Sequence, residues 1–123
     1  MEQKKILVID DEKDICSILK IELEATNFNV KTVLSGKKGL EIVKEFNPDI
    51  IILDLMMPEM DGFEVCGQLK QSEITSSIPI VVLTAIDQEE AVKKAFDLGA
   101  SGYLIKPFED KSVLLFAIEK FLK

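Results

Sequence analysis

Five residues in this sequence have side chains that could do chemistry, and each closes a short apolar run. Asp10 and Asp11 follow KKILVI (residues 4–9), Asp54 follows IIIL (50–53), Thr84 ends PIVVLT (79–84) and Lys106 follows GYLI (102–105). Three carboxylates brought into one place cannot all stay ionised without a cation. Oxygen ligands without histidine or thiolate favour a hard ion. Magnesium typically takes one or two carboxylates, keeps several waters and adds phosphate oxygens. A lysine and a hydroxyl beside such an ion, around a spare carboxylate, suit phosphoryl transfer to that carboxylate. Taken singly, each residue has a plainer reading: Asp10 and Asp11 as helix caps, Lys106 as a solvated edge lysine, Thr84 as an ordinary strand end. The chemical reading rests on all five sharing one edge of a sheet.

The composition narrows the field. The chain has 123 residues, 47% of them apolar, with a formal charge of −7 and no histidine. That length gives one domain, residues 1–123, with a real core. Without histidine there is no Ser-His-Asp triad, no Cys-His pair, no common zinc site and no phosphohistidine. The acidic balance argues against direct nucleic-acid binding and for a metal or a cationic partner. No apolar run reaches the roughly 18–20 residues of a membrane span, and the N-terminus is too short in apolar residues for a signal peptide. Cys16 and Cys66 do not form a CxxC pair and read as buried free thiols, which fits a reducing cytoplasm.

The elements that must hold these residues can be read in order. A strand over 4–9 leads into a helix from Asp14, with Ile15, Ile18, Leu19 and Leu23 on one face. A weaker strand over 30–33 carries a lysine, as an edge tolerates. Ser35 caps a helix that turns Leu40, Val43 and Phe46 inward, and Asn47-Pro48 ends it. The run over 50–53 is apolar throughout, as in a strand buried on both faces. Pro58 and Gly62 then take the chain out of the sheet. Asp61 and Glu64 start a helix carrying Phe63, Cys66 and Leu69, and residues 75–77 form a polar loop. After the strand over 79–84, Asp87 and Glu90 start a helix that buries Ala91, Val92, Ala95 and Leu98, and Gly99 stops it. The strand over 102–105 precedes a last helix from about 109 to 122, with Leu114, Leu115, Ile118 and Phe121 inward.

Five strands alternating with five helices predict an α/β fold, a parallel sheet covered on both faces. The most apolar strands are the first, third and fourth, so the expected order is 2-1-3-4-5, a flavodoxin-like doubly wound (βα)5 arrangement. Its switch point lies between strands one and three, where Asp10, Asp11 and Asp54 converge. Ligands bind at that edge in open α/β sheets.

The motifs VIDDE (8–12), DLMMPEMDG (54–62), LTA (83–85) and YLIKPF (103–108), in this order, make the chain resemble a receiver domain of two-component response regulators. The resemblance covers essentially the whole chain. It implies that Asp54 accepts a phosphoryl group from a histidine kinase or phosphotransfer protein. It implies that Asp11, Asp54 and the backbone carbonyl of Met56 bind Mg²⁺, with Asp10 assisting through water. Thr84, Ala85 and Lys106 would serve the phosphoryl group, Tyr103 the switch, and Lys106–Pro107 would be a cis peptide. Met56 and Ile86 would flank the hydrolytic water and slow autodephosphorylation. The face of the fourth helix, fifth strand and fifth helix would meet a protein target, an output domain or a second copy in a phosphorylation-dependent homodimer. Such a domain signals and catalyses only its own phosphoryl transfer; it binds neither nucleic acid nor membrane.

Two other classes share parts of this pattern. An aspartate-dependent phosphohydrolase would place its nucleophile in a D-x-D motif after the first strand, where this chain has adjacent aspartates and no cap insertion. A flavodoxin-like electron carrier would need a hydroxyl- and glycine-rich phosphate loop there, and residues 10–12 would repel FMN phosphate. Nothing follows the last helix in this sequence, so the expected alternatives are a stand-alone regulator or the N-terminal part of a longer regulator whose output domain was removed.

Overall fold

The architecture follows from strands too apolar to face water and helices with one apolar stripe each. The computed structural model describes residues 3–107 and 111–122. The strands are β1 (Lys5–Ile9), β2 (Asn29–Val33), β3 (Ile50–Leu53), β4 (Ile80–Thr84) and β5 (Gly102–Ile105). Between and after them run α1 (Lys13–Glu24), α2 (Gly36–Phe46), α3 (Gly62–Gln71), α4 (Glu89–Asp97) and α5 (Lys111–Phe121). The strands form one parallel sheet in the order β2-β1-β3-β4-β5, as the apolarity of the first, third and fourth runs predicts. This is the flavodoxin-like arrangement. The final helix is described from Lys111, so its expected start near 109 and the Phe108 of the YLIKPF motif lie outside the described residues.

Alternation along the central strands divides the core in two. Leu7, Ile9, Ile51, Leu53, Ile80 and Val82 pack on one face with Val43, Val65, Cys66, Leu69 and Ala95 from α2, α3 and α4. Ile6, Val8, Ile50, Ile52, Val81 and Leu83 pack on the other with Cys16, Leu19 and Leu23 of α1 and Leu114 and Ile118 of α5. The edge strands β2 and β5 are only partly covered. Register places Ile9 beside Leu53, Leu53 beside Val82, and Thr84 beside Ile105, so β1 ends level with β3, β4 ends level with β5, and the second pair runs two residues further toward the same edge.

Two local expectations need correction. Ile18 does not face the core: it is 51% exposed, and Cys16, Leu19 and Leu23 form the buried stripe of α1. Spacings of three and four residues align those three on one side of the helix, which turns Ile18 outward. Asp87 does not cap α4; Gln88 holds that position without a side-chain cap bond, and the acids Glu89 and Glu90 stand in the first turn, where they favour the helix dipole. The expected loop over 75–77 is present, with Thr75 turned inward. Thr75 is buried and its hydroxyl donates 2.6 Å to the Leu69 carbonyl, satisfying an acceptor at the end of α3. The other caps match expectation: Ser35 Oγ accepts from Lys38 N, Asp61 Oδ1 accepts from Glu64 N, and α2 stops at Asn47 in the left-handed region.

Candidate functional site

The carboxyl ends of β1, β3, β4 and β5 lie side by side, and the backbone ladder continues through them. Asp54 N donates to the Ile9 carbonyl at 3.0 Å, Asp10 N to the Val33 carbonyl at 3.1 Å, and Lys106 N to the Thr84 carbonyl at 2.8 Å. Each pocket residue is therefore anchored to a neighbouring strand. The two buried carboxylates are also aimed by the chain that follows them. Asp10 Oδ1 accepts from Glu12 N at 2.9 Å and Asp54 Oδ1 accepts from Met56 N at 3.2 Å. Both contacts span two residues, as in Asx turns. Their Oδ2 atoms are left to face the pocket.

Lys106 fills the space between them. Its Nζ lies 2.8 Å from Asp10 Oδ2, 3.2 Å from Asp54 Oδ2 and 3.0 Å from Glu12 Oε1. The side chains of Asp10 and Asp54 are 3% and 4% exposed, whereas that of Glu12 is 58% exposed, so the cluster has two deep poles and one at the rim. Burial pushes the Asp10 carboxyl above the ordinary carboxylate range; the Lys106 and Glu12 N–H bonds oppose this, and the Asp54 charge adds to it. Burial by itself would lower the Lys106 pKa. The hydrogen bonds to Asp10 and Glu12 and the charges of Asp54 and Asp10 outweigh it, so the ammonium is held more firmly protonated than an ordinary lysine.

Asp10, Glu12 and Asp54 each offer a carboxylate oxygen within 4.8 Å of the others. Against these three carboxylates stands one ammonium, which leaves negative charge for a further cation to match. An all-oxygen donor set of this kind fits a hard divalent ion and offers nothing to a soft one. Asp11 is exposed and stands outside that three-carboxylate group. Glu12, its neighbour in the chain, belongs to the group and meets Lys106. The DDE run was the available signal, but adjacent carboxylates leave a turn in different directions.

The remaining candidates surround the pocket. Thr84 is fully buried, and its Oγ1 accepts a long, 3.4 Å bond from Ile86 N. The Tyr103 hydroxyl donates 2.8 Å to the Ile86 carbonyl. Burial raises the Tyr103 pKa, with the charges of Asp54 and Asp87 adding to the effect. Ala85 and Met56 are exposed at the mouth, and the Lys106–Pro107 peptide is cis. Cys16 and Cys66 are free and buried. Cys16 donates to the Asp10 carbonyl at 3.3 Å, and burial followed by the Asp10 charge pushes its pKa to about 11, so it offers no thiolate to the site.

Comparison with known proteins points the same way. The model of the response regulator receiver domain matches residues 6–119. The chain is 41% identical over 110 residues to the DNA-binding dual master transcriptional regulator RpaA of Synechocystis sp., covering 89% of this chain and 46% of that protein. It is 42% identical over 110 residues to the alkaline phosphatase synthesis transcriptional regulatory protein PhoP of Bacillus subtilis, covering 89% and 45%. The chain thus spans about half the length of these curated relatives. Its fold superposes on the chemotaxis protein CheY4 of Vibrio cholerae with a TM-score of 0.93 at 29% identity, covering 98% of this chain and all of that one. A family match that runs from β1 into α5, and relatives this similar in sequence and in fold, identify a signalling domain: the chain belongs to the receiver domain family of two-component response regulators.

Proposed function

We propose that Asp54 is the phosphoacceptor, taking a phosphoryl group from the phosphohistidine of a histidine kinase or phosphotransfer protein. The observation that carries this is the placement of Asp54. It is a buried carboxylate at the end of a central strand, with one oxygen pinned by Met56 N and the other facing Lys106 and Asp10. In the transfer, an Asp54 oxygen attacks phosphorus and the bond to the imidazole nitrogen breaks, so the phosphoryl group passes without a covalent step elsewhere. Lys106 holds positive charge where phosphoryl oxygens would lie, and Thr84 presents a hydroxyl from the adjacent strand.

Mg²⁺ is the proposed cofactor, held by Asp54, Asp11 and the Met56 carbonyl, with Asp10 behind them. When bound it neutralises charge on the phosphoryl oxygens. An excess of carboxylate over ammonium in the pocket supports a divalent ion. Apolar Met56 and half-buried Ile86 line the approach to Asp54 without an acid or base to activate water, which supports slow autodephosphorylation.

The donor has an open way in. A groove of about 470 Å³ runs beside Lys106, lined by Glu12, Ile15, Ile18, Ala85, Pro107 and Lys111. Ile18 and Ile21 are exposed on the same helix, so an apolar partner surface fits there. Output is assigned to the α4-β5-α5 face, where Phe96, Ile105 and Phe116 are exposed, and a target, an output domain or a second copy would dock. The domain, residues 1–123, is proposed to act in the cytoplasm; among the described residues no helix is long and apolar enough to cross a membrane. The test is incubation with acetyl phosphate and Mg²⁺ followed by mass spectrometry. One added phosphoryl group, absent from Asp54→Asn, is expected; equal labelling of Asp54→Asn would overturn the assignment.

A further inference from the structure

Glu12 stands at the N-cap of α1, yet its side chain makes no cap bond. Ser, Thr, Asp and Asn are the residues that usually cap there, because their short side chains reach the first free N–H groups. The Glu12 carboxylate is instead turned to Lys106, 3.0 Å away, and among the described residues it is the only exposed partner of that ammonium. Asp10 and Asp54, the other two partners, are buried and fixed by their Asx turns.

A divalent ion of magnesium's size binds carboxylate oxygens at roughly 2.0–2.1 Å. An ammonium already 2.8 Å from Asp10 and 3.2 Å from Asp54 occupies that space. Lys106 must therefore give way when an ion enters. Its backbone is held by the bond to the Thr84 carbonyl, so the side chain is the part that moves. The groove lined by Glu12, Ala85 and Pro107 gives it room on the rim side.

We propose that Glu12 is the seat that receives Lys106 when a divalent cation enters the pocket, and that it thereby sets how strongly Lys106 competes with the cation for Asp10 and Asp54. Glu12 is a positioning residue that acts through Lys106. The inference rests on the reading of the pocket as a Mg²⁺ site. With Glu12 in place, the displaced ammonium keeps a charged partner and stays near the site, ready for phosphoryl oxygens. Without it, the ammonium falls back on Asp10 and Asp54 and opposes the ion.

The experiment is a double-mutant cycle read by Mg²⁺ titration, with wild type, Glu12→Gln, Lys106→Met and the double variant. Glu12→Gln is expected to weaken Mg²⁺ binding by roughly 3- to 5-fold, the range of one exposed ion pair. In the Lys106→Met background the same change should fall within about twofold. Equal weakening in both backgrounds would mean that Glu12 acts on the ion directly, and overturns the proposal. A second readout needs no Lys106 variant. The side-chain ammonium signal of Lys106, followed by NMR at saturating Mg²⁺, should stay visible in wild type and broaden away in Glu12→Gln, where the displaced ammonium has no charged seat. Identical behaviour in the two proteins would overturn the proposal even if Lys106→Met failed to fold. A wild-type protein that binds no Mg²⁺ fails the underlying reading as well, which separates that failure from this one.

Discussion

The Tyr103 hydroxyl donates a 2.8 Å hydrogen bond to the carbonyl oxygen of Ile86. The N–H of the same residue donates to Thr84 Oγ1 at 3.4 Å, so the backbone of Ile86 joins the pocket threonine to the β5 tyrosine. A phosphoryl group on Asp54 adds roughly two negative charges. The Thr84 hydroxyl would then turn to donate to a phosphoryl oxygen and let go of Ile86. The expected outcome is a change at Tyr103 and along α4-β5-α5 when beryllofluoride, a phosphoryl mimic, is added. NMR shifts on that face read it directly. Unmoved shifts with Thr84 and Tyr103 in their present rotamers would disprove the coupling. Thr84→Ala should still be phosphorylated at Asp54 yet fail to shift the face.

Removing the metal should remove the chemistry. EDTA is expected to abolish labelling by acetyl phosphate, and excess Mg²⁺ to restore it. Asp11→Asn should raise the Mg²⁺ dissociation constant, since Asp11 is the proposed direct ligand at the rim. Lys106→Ala should leave an ion bound while impairing phosphorylation or its consequences. Calorimetric Mg²⁺ titration separates the two variants; a normal Mg²⁺ affinity in Asp11→Asn would remove it from the ligand set.

The lifetime of the phosphorylated protein follows from the residues around the approach to Asp54. Met56 is 58% exposed at the pocket mouth, and Ile86 is half-buried. Neither side chain can hold or deprotonate a water, and both exclude it. Met56→Asn and Met56→Glu are expected to speed loss of phosphate severalfold by supplying a polar partner for an in-line water. Decay of the labelled species, followed by phosphate release, is the measurement. Variants that decay no faster than wild type would show that water access is controlled elsewhere.

The fold was legible because β1, β3 and β4 are buried on both faces, which writes an unbroken apolar run into the sequence. Asp54 and Thr84 stand where such runs stop, whereas Lys106 follows β5, an edge strand that is apolar in sequence but only partly covered. What escaped the sequence was direction. Ile15, Ile18 and Ile21 make an apolar pattern on α1 that competes with the stripe of Cys16, Leu19 and Leu23, and only packing on the sheet chooses between them. Asp11 and Glu12 are neighbours between β1 and α1, and the backbone there sets which of them meets Lys106. Thr75 gave no signal either, because its burial depends on a carbonyl freed by the end of α3.

Two glycines of α3 should respond to alanine with opposite signs. Gly62 opens the helix just after the loop that carries Asp54, and its N–H donates to the Leu55 carbonyl at 3.1 Å. A Cβ there would run into the Asp54 carbonyl oxygen, with Leu55 Cα only 2.7 Å away. These are backbone atoms and cannot rotate aside. Gly62→Ala must push the loop away from the helix, at a cost of about 1–3 kcal/mol or more. It should also displace Asp54, so Mg²⁺ affinity and phosphorylation fall with stability. Gly67 stands mid-helix, where a Cβ would meet only Leu98 Cδ2 at an ordinary 3.7 Å. Gly67→Ala removes a poor helix former without a clash and should stabilise by about 0.5–1 kcal/mol. Urea denaturation of the two variants and wild type measures both signs. Gly62→Ala with wild-type stability and normal phosphorylation would show that the close approach of α3 to the Asp54 loop is not needed to hold the phosphoacceptor in place.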